Sequence, residues 1–347
     1  MSRLEKAWTG RGWLACLLWP VSLLYCLIII CRQAAFQRGW LATQSVSLPV
    51  VVIGNVSVGG TGKTPLCAFL VRFFQAAGWR PAIVSRGYGG ARHVSPHLIN
   101  GDDAPVLVGD EPLMLFQQTG VPVCVCVQRA LAVEHIAAHC DADIVFADDG
   151  LQHLAMPRAA EIVVLDGRRG LGNGWMLPAG PLREPATRLG QADVIAVQGT
   201  ESLHDSLIDI VSLSMRNDIE NNQFHLKLVD VVALSDGEVL PLGAFAGKAV
   251  IAMAGIGHPQ RFFDALGLEG LRITGIPKPD HHQFTLDDFD IVEGMAVLVT
   301  SKDAVKLKSL GKLPVDVYEV RTAVTVSEPL KICFETLERS LREVRCD

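Results

Sequence analysis

The nine cysteines include no C-x-x-C pair, so their spacing offers neither a zinc site nor a disulfide framework. Cys124 and Cys126 flank Val125 in an apolar run; at period two they share one strand face as buried thiols. This usage of cysteine fits a reducing compartment. An excess of positive charge is also missing. With 31 basic and 37 acidic residues the chain carries a formal charge of −6, which gives no chain-wide field for phosphate backbones and excludes nucleic acid as an expected partner. Between Trp13 and Cys31 charge is lacking altogether over about 19 residues, close to the roughly 20 that cross a bilayer core as a helix. No small-x-small cleavage site follows that run, which argues against a signal peptide. Pro20 lies inside it, and Trp8, Trp13, Trp19 and Trp40 lie in or near its flanks. Arg3, Lys6 and Arg11 precede it and Arg32 and Arg38 follow, so flanking charge leaves the orientation open; a spanning helix and a helix lying in the interface both fit.

Beyond this run the residues carry a recognisable chemistry. Pro49 to Ile53 is a short β-branched run that reads as a buried strand. Gly54-Asn55-Val56-Ser57-Val58-Gly59-Gly60-Thr61-Gly62-Lys63-Thr64 follows it directly. Pro65 suits a first helical turn, and Leu66, Phe69, Leu70 and Phe73 recur at helical spacing until Gly78. Strand, glycine loop and helix in that order form a phosphate-binding loop, with residues 57–64 as the nucleotide cradle. Glycines let backbone N–H groups close around phosphate oxygens, Lys63 reaches the β- and γ-phosphates of ATP, and the Thr64 hydroxyl serves Mg²⁺. The strict pattern has glycine where this chain has Ser57. A plain glycine-rich turn with a surface lysine is the alternative, and it leaves the flanking strand and helix unexplained.

Such a loop needs a carboxylate at the end of a neighbouring strand to hold the metal. Ala142 to Gly150 supplies an apolar strand ending in Asp148 and Asp149. Adjacent strand residues point to opposite faces, so the pair need not share a role, and which of them meets Mg²⁺ stays open. Gln152 and His153 lie where this loop would approach the phosphates, or else they stabilise the loop by hydrogen bonds.

Strands are expected at Pro49 to Ile53, Pro81 to Ser85, Val123 to Val127, Ile144 to Ala147, Ile162 to Asp166 and Val194 to Gln198. After a polar stretch near Met215 to Gln223 a second series follows at Ala249 to Ala254, Leu271 to Ile276, Ala296 to Thr300 and Val315 to Val320, with a helix from Glu328 to Arg342. The fold class is α/β: a doubly wound, mainly parallel P-loop sheet, a second and smaller α/β domain, and an N-terminal membrane-associated helix. The corresponding division is 1–46, 47–220 and 221–347, the last closing over the active site.

Six further stretches, Ser85-Arg86-Gly87-Tyr88-Gly89, Gly109-Asp110-Glu111-Pro112, Asp148-Asp149-Gly150-Leu151-Gln152-His153, Pro178 to Pro185, Asp280-His281-His282-Gln283-Phe284 and Thr300 to Lys306, resemble in order and spacing the tetraacyldisaccharide 4'-kinases. The resemblance runs from the apolar segment to about Lys306. It implies a kinase that phosphorylates the 4'-hydroxyl of a tetraacylated glucosamine disaccharide 1-phosphate in lipid A biosynthesis, at the inner membrane with its active site on the cytosolic side. It also implies that Asp110 accepts the sugar proton and that His281 orients Asp110. Spacing alone does not pair them: Asp110 and Glu111 suit a helix start, and His282 is locally as plausible as His281. Arg86, Tyr88, Glu111, Arg183 and Glu184, with Gln152 and His153, are the remaining candidates for nucleotide or headgroup contact. Two rivals remain. A membrane-bound regulatory ATPase of the partitioning type would carry a lysine where this chain has Val58, and a P-loop kinase of another membrane lipid shares all of the chemistry.

Overall fold

The computed structural model describes residues 7–91, 93–199, 221–290, 292 and 294–346. Arg3 and Lys6 of the N-terminal flank, and residues 215–220 of the polar stretch, lie outside them. In chain order the strands are β1 (Val50–Gly54), β2 (Pro81–Ser85), β3 (His97–Leu98), β4 (Val123–Val125), β5 (Ile144–Asp148), β6 (Ala160–Asp166), β7 (Val194–Gln198), β8 (Gln223–Ala233), β9 (Val239–Pro241), β10 (Ala249–Ala254), β11 (Arg272–Pro277), β12 (Val297–Thr300) and β13 (Val317–Val326). The chain forms two compact units, neither of them contiguous. Met1–Val84, Arg129–His225 and Thr325–Asp347 make the first, and Ser85–Gln128 and Leu226–Val324 the second. The division differs from the contiguous one expected at residue 220. The cause is packing: helix Asp110–Thr119 lies on helix Ser301–Lys308, and helix Glu328–Cys346 lies on β7.

In the first unit the strands run in the order β7-β6-β1-β5-β2, and every pair is parallel. β1 is central, and all five of its residues are buried, which is why it reads as an unbroken apolar run and not as an alternating one. Helix Lys63–Ala76 packs on β1 and β5, burying Leu66, Leu70 and Phe74; the Phe74 ring meets Phe146 of β5 edge-on at 5.1 Å. The chain leaves β1 for β5 and β2 on one side and reaches β6 and β7 on the other. β1 is therefore the switch point of the sheet, and the crevice beyond its carboxyl end is where open α/β sheets bind ligands.

Helix Glu328–Cys346 completes this unit. Phe334 is fully buried, with its ring 6.3 Å from both Phe69 and Phe73. The Trp79 indole N–H donates to Glu338 Oε1 at 2.7 Å.

The apolar helix spans Trp13–Gln37, with a mean hydropathy of 2.5 over its most apolar window. One narrow face belongs to the first unit: Ala15 and Ser22 are buried, and Ser22 Oγ donates to the Met176 carbonyl at 2.7 Å. Tyr25 OH donates to the Arg183 carbonyl at 3.2 Å, and Gln33 donates to Glu184 at 2.8 Å. Most of the remaining circumference, including Trp13, Leu17, Leu24, Leu27 and Ile28, is exposed hydrocarbon, a larger apolar surface than soluble proteins leave to water.

In the second unit the order is β11-β10-β12-β13-β8, with β9 antiparallel on β8. The β10 pairings with β11 and β12, and that of β12 with β13, are parallel. β10 alternates between two cores. Val250, Ala252 and Ala254 join Phe262, Phe263 and Leu266 on one face, and Ile251 and Met253 join Phe289, Val297 and Leu307 on the other, as period two requires. β3 and β4 form a short antiparallel pair with His97 opposite Val125 and Leu98 opposite Cys124. Cys124 and Cys126 are both fully buried.

Replacing Phe334 by alanine leaves an aromatic-sized hole against Phe69 and Phe73 and is expected to cost about 3–5 kcal/mol. Ile332→Ala, on the exposed face of the same helix, is expected to stay within about 0.5 kcal/mol. Denaturant unfolding of both variants in detergent checks the packing, and equal losses would contradict it.

Candidate active site

The phosphate-binding loop leaves β1 at Gly54. Its first half is not free: Ser57 forms a bridge with Leu182, and Val58 N–H donates to the Pro181 carbonyl at 2.8 Å. Arg183 N–H donates to the Val56 carbonyl at 2.7 Å. Ser57 thus lies in bridged backbone with no positive φ, which explains how serine is tolerated where the strict pattern has glycine. Flexibility is needed two residues later. Gly59 has φ +113°, and a Cβ there would stand 2.5 Å from Arg169 Nη1. Helix Lys63–Ala76 begins with Lys63 and Thr64 in its first turn, so its unpaired N–H groups and positive dipole end face the direction from which an anion would approach.

Asp148 and Asp149 separate at this point. β5 runs parallel to β1 with Asp148 opposite Ile53. This brings the Asp148 carboxylate, 3% exposed, within 3.1 Å of Thr64 Oγ1, which donates to it. A hydroxyl and a carboxylate are hard oxygen donors of the kind Mg²⁺ accepts, few from protein and the rest from phosphate and water, so these two residues suit the ion. Asp149 has already turned out of the strand into left-handed backbone at φ +48°. Its carbonyl accepts from Arg129 at 2.9 Å, and its carboxylate lies 3.7 Å from Lys63 Nζ and 3.3 Å from Arg183 Nη1. Burial alone would raise the Asp149 carboxyl, but Lys63, Arg183 and Arg129 hold it below the ordinary aspartate value.

Of the contacts expected at the phosphates, two turn inward. Gln152 donates to the Asn55 carbonyl at 3.0 Å and to Glu184 Oε1 at 2.8 Å. Glu184 is 2% exposed, and its other oxygen meets Gln33 at 2.8 Å and Arg188 at 3.3 Å. Both residues serve the frame of the loop. The His153 carbonyl is held by Arg158. Arg183 stays beside Asp149, half-buried.

The second unit holds the other site. Helix Asp110–Thr119 opens with both expected carboxylates in its first turn, and the Glu111 N–H donates to Asp110 Oδ1 at 3.1 Å. Asp110 is 4% exposed, and 171 residues further along the chain His281 Nδ1 lies 3.0 Å from its Oδ2. His281, not His282, is therefore the partner; His282 is turned away onto Asp288 at 3.0 Å. His281 stands at φ +58°, and the Asp280 carboxylate accepts its backbone N–H at 3.0 Å. Gly89 passes so close that a Cβ would stand 3.1 Å from His281 Nδ1, which accounts for the glycine after Tyr88. The Tyr88 ring meets His281 edge-on at 5.0 Å. Arg86 is exposed.

Burial would raise the Asp110 carboxyl, but the His281 hydrogen bond and the Lys302 and Lys306 cations bring it below the usual aspartate value. His281 is raised above the ordinary histidine value, first by its bond to Asp110, against the pull of burial and Lys302. Two cations at the sites went unassigned in the sequence. Arg169 beside Gly59 belongs to no motif. Lys302 lies in a recognised stretch, but nothing local says what it faces.

The geometry is thus a phosphate cradle with a hydroxyl–carboxylate pair in one unit and a buried aspartate–histidine pair in the other. A model of the family described as tetraacyldisaccharide-1-P 4'-kinase matches residues 14–340. The tetraacyldisaccharide 4'-kinase of Chromobacterium violaceum is 44% identical over 311 residues, covering 88% of each chain. That of an Azoarcus species is 41% identical over 320 residues, 92% of this chain and 90% of the relative. A crystal structure of LpxK from Aquifex aeolicus in complex with ATP superposes with a TM-score of 0.76 at 26% identity, covering 94% of this chain and 99% of that one. On these grounds the chain belongs to the tetraacyldisaccharide-1-phosphate 4'-kinase family.

Proposed function

We propose that the chain transfers the γ-phosphate of ATP, with Mg²⁺, to the 4'-hydroxyl of a tetraacylated glucosamine disaccharide 1-phosphate at the cytosolic face of the inner membrane. The observation that carries the reading is the buried Asp110–His281 pair in a chain that also has a phosphate-binding loop. Phosphoryl transfer to an alcohol needs a positioned acceptor for the hydroxyl proton; a nucleotide switch that only hydrolyses ATP does not need a carboxylate oriented by an imidazole. ATP as donor is supported by the loop itself and by the nucleotide bound to the Aquifex relative.

In this reading Lys63 and the loop amides hold the transferring phosphate, and Asp149, itself held by Arg183, fixes the lysine. Thr64 and Asp148 would hold Mg²⁺, which would supply positive charge against that of the phosphates. Asp110 takes the proton of the attacking hydroxyl. His281, donating through Nδ1 to one oxygen, leaves the carboxylate with lone pairs for that proton. Glu111, Tyr88, Arg86 and His153 are candidates for contact with nucleotide or headgroup.

The apolar helix supports a substrate that stays in the bilayer, since each CH₂ withdrawn from lipid costs about 0.8 kcal/mol. Its hydrogen bonds at Ser22, Tyr25 and Gln33 run along one face over roughly three turns. A helix pinned lengthwise to its own globular unit, with hydrocarbon on the remaining surface, favours a place in the interface over a full crossing.

Transfer of labelled γ-phosphate from Mg·ATP to the tetraacyldisaccharide 1-phosphate in detergent micelles tests the reading. The wild type is expected to label the lipid, and Lys63→Ala and Asp110→Ala each to lose at least about 100-fold. ATP hydrolysis without lipid labelling would favour the switch instead, and labelling of a polyprenyl alcohol in preference to the disaccharide would redirect the substrate. The metal assignment has its own check. Asp148→Asn is expected to raise the Mg²⁺ concentration for half-maximal rate on the order of 10–100-fold, whereas Asp149→Asn lowers the rate with little change in that concentration; the reverse ranking would exchange the two aspartates.

A further inference from the structure

Partitioning ATPases carry a lysine just before the double glycine of the phosphate-binding loop, where this chain has Val58. The fold brings another cation to that place. Arg169 Nη2 lies 3.5 Å from the Val58 carbonyl oxygen, and its Nη1 lies 2.5 Å from where a Cβ on Gly59 would stand.

The turn after β6 delivers this side chain. β6 runs parallel to β1 with Val163 opposite Gly54, so the chain leaving β6 at Asp166 emerges at the same edge of the sheet as the loop. Asp166 is 3% exposed. Its Oδ1 accepts the backbone N–H of Arg168 at 3.1 Å and of Arg169 at 3.3 Å, and its carbonyl accepts the Gly170 N–H at 2.8 Å. The Arg169 carbonyl accepts the Gly172 N–H at 2.9 Å. The backbone of Arg169 is thus held on both sides, and its guanidinium is what reaches the loop. Arg169 and the loop belong to the same compact unit.

The contact with Val58 does not account for this placement. It is at the long limit of an N–H···O bond, and a guanidinium offers a planar fork of five N–H donors, a match for the oxygens of a carboxylate or a phosphate. Gly59 serves a second end here, because its missing side chain admits the guanidinium to the loop backbone. The loop already concentrates positive charge in its N–H groups, in the start of helix Lys63–Ala76 and in Lys63. Another cation beside it adds repulsion that a polyanion relieves. Lys63 is in addition partly offset by Asp149 at 3.7 Å, so one lysine does not exhaust what a triphosphate demands. Gly59 lies in the first half of the loop, away from the helix start, which leaves Arg169 for the far end of the phosphate chain.

We propose that Arg169 is a further catalytic residue of the phosphoryl transfer: an arginine supplied within the chain that contacts the γ-phosphate and takes up charge in the transition state. The inference rests on ATP as the phosphate donor. As the bond from the 4'-oxygen to the γ-phosphorus forms and the bond from that phosphorus to the β–γ bridging oxygen breaks, the hydroxyl proton passes to Asp110. Negative charge collects on the leaving ADP and on the transferring oxygens. A permanently charged fork bonds two such oxygens at once, and its bonds strengthen as that charge grows. Arginines in this role are worth about 10³–10⁵ in rate in other phosphoryl-transfer proteins.

The test compares wild type, Arg169→Met and Arg169→Lys as full chains in micelles. It measures kcat for lipid labelling and the dissociation constants of ADP, of ATP, and of ADP with Mg²⁺ and aluminium fluoride in the presence of the disaccharide, the fluoride standing in for the transferring group. Arg169→Met is expected to lower kcat at least about 100-fold and to weaken the fluoride complex by a similar factor, while the Kd for ADP stays within about twofold. Arg169→Lys keeps the charge without the fork; it is expected to recover part of kcat and to keep the wild-type Kd for ADP, and it carries the test if Arg169→Met does not fold. Equal weakening of ADP and of the fluoride complex overturns the proposal, since an arginine that only shapes the loop disturbs every nucleotide alike. Wild-type kcat in Arg169→Met overturns it as well. A wild type that binds ATP but labels no lipid sinks instead the kinase reading on which the proposal stands.

Discussion

A carboxylate withdrawn from water must have its oxygens met by donors, and in the first unit that requirement falls on Glu184. Its three partners come from separate parts of the chain: Gln33 from the apolar helix, Gln152 from the loop after β5, and Arg188 from the turn ahead of β7. The residues just before Glu184 form the bridge with Ser57 and hold Val56 and Val58. The phosphate-binding loop, the loop after β5 and the apolar helix are thus joined through one short segment. Shifting any of them strands a buried charge, which is far more costly than losing a surface contact.

The second unit meets a related demand with the signs reversed. Lys302 is a buried cation surrounded by the carboxylates of Asp110, Glu111 and Asp280, whose charges make its burial tolerable. The dyad is consequently built as a network in which each member limits the freedom of the others.

Much of this architecture is legible in the sequence because it rests on local signals. β1, the glycine loop and helix Lys63–Ala76 are written contiguously, and the buried strands β1, β2, β5, β6, β7 and β10 read as short β-branched runs whose observed limits lie within two residues of expectation. What was not legible depends on distant partners. β8 alternates Phe224, Leu226 and Leu228 with His225 and Lys227, a period-two signal that a polar neighbourhood obscured. The grouping of Ser85–Gln128 with Leu226–Val324 leaves no mark in composition, and helix Glu328–Cys346 shows an apolar stripe without showing what it covers. Glu184 and Lys302 look like surface charges until the fold buries them. That Asp148 and Asp149 face different partners required the strand to end between them.

The return of helix Glu328–Cys346 to the first unit has a consequence for biogenesis. β1 and helix Lys63–Ala76 leave the ribosome well before the segment that buries Phe69 and Phe73, because all of Leu226–Val324 is translated in between. The first unit therefore spends much of synthesis with an aromatic surface uncovered and with the apolar helix already made. Domains generally fold as units as they emerge, and here the inserted unit has its full sequence first, while the nucleotide cradle waits for the last helix to close over its back.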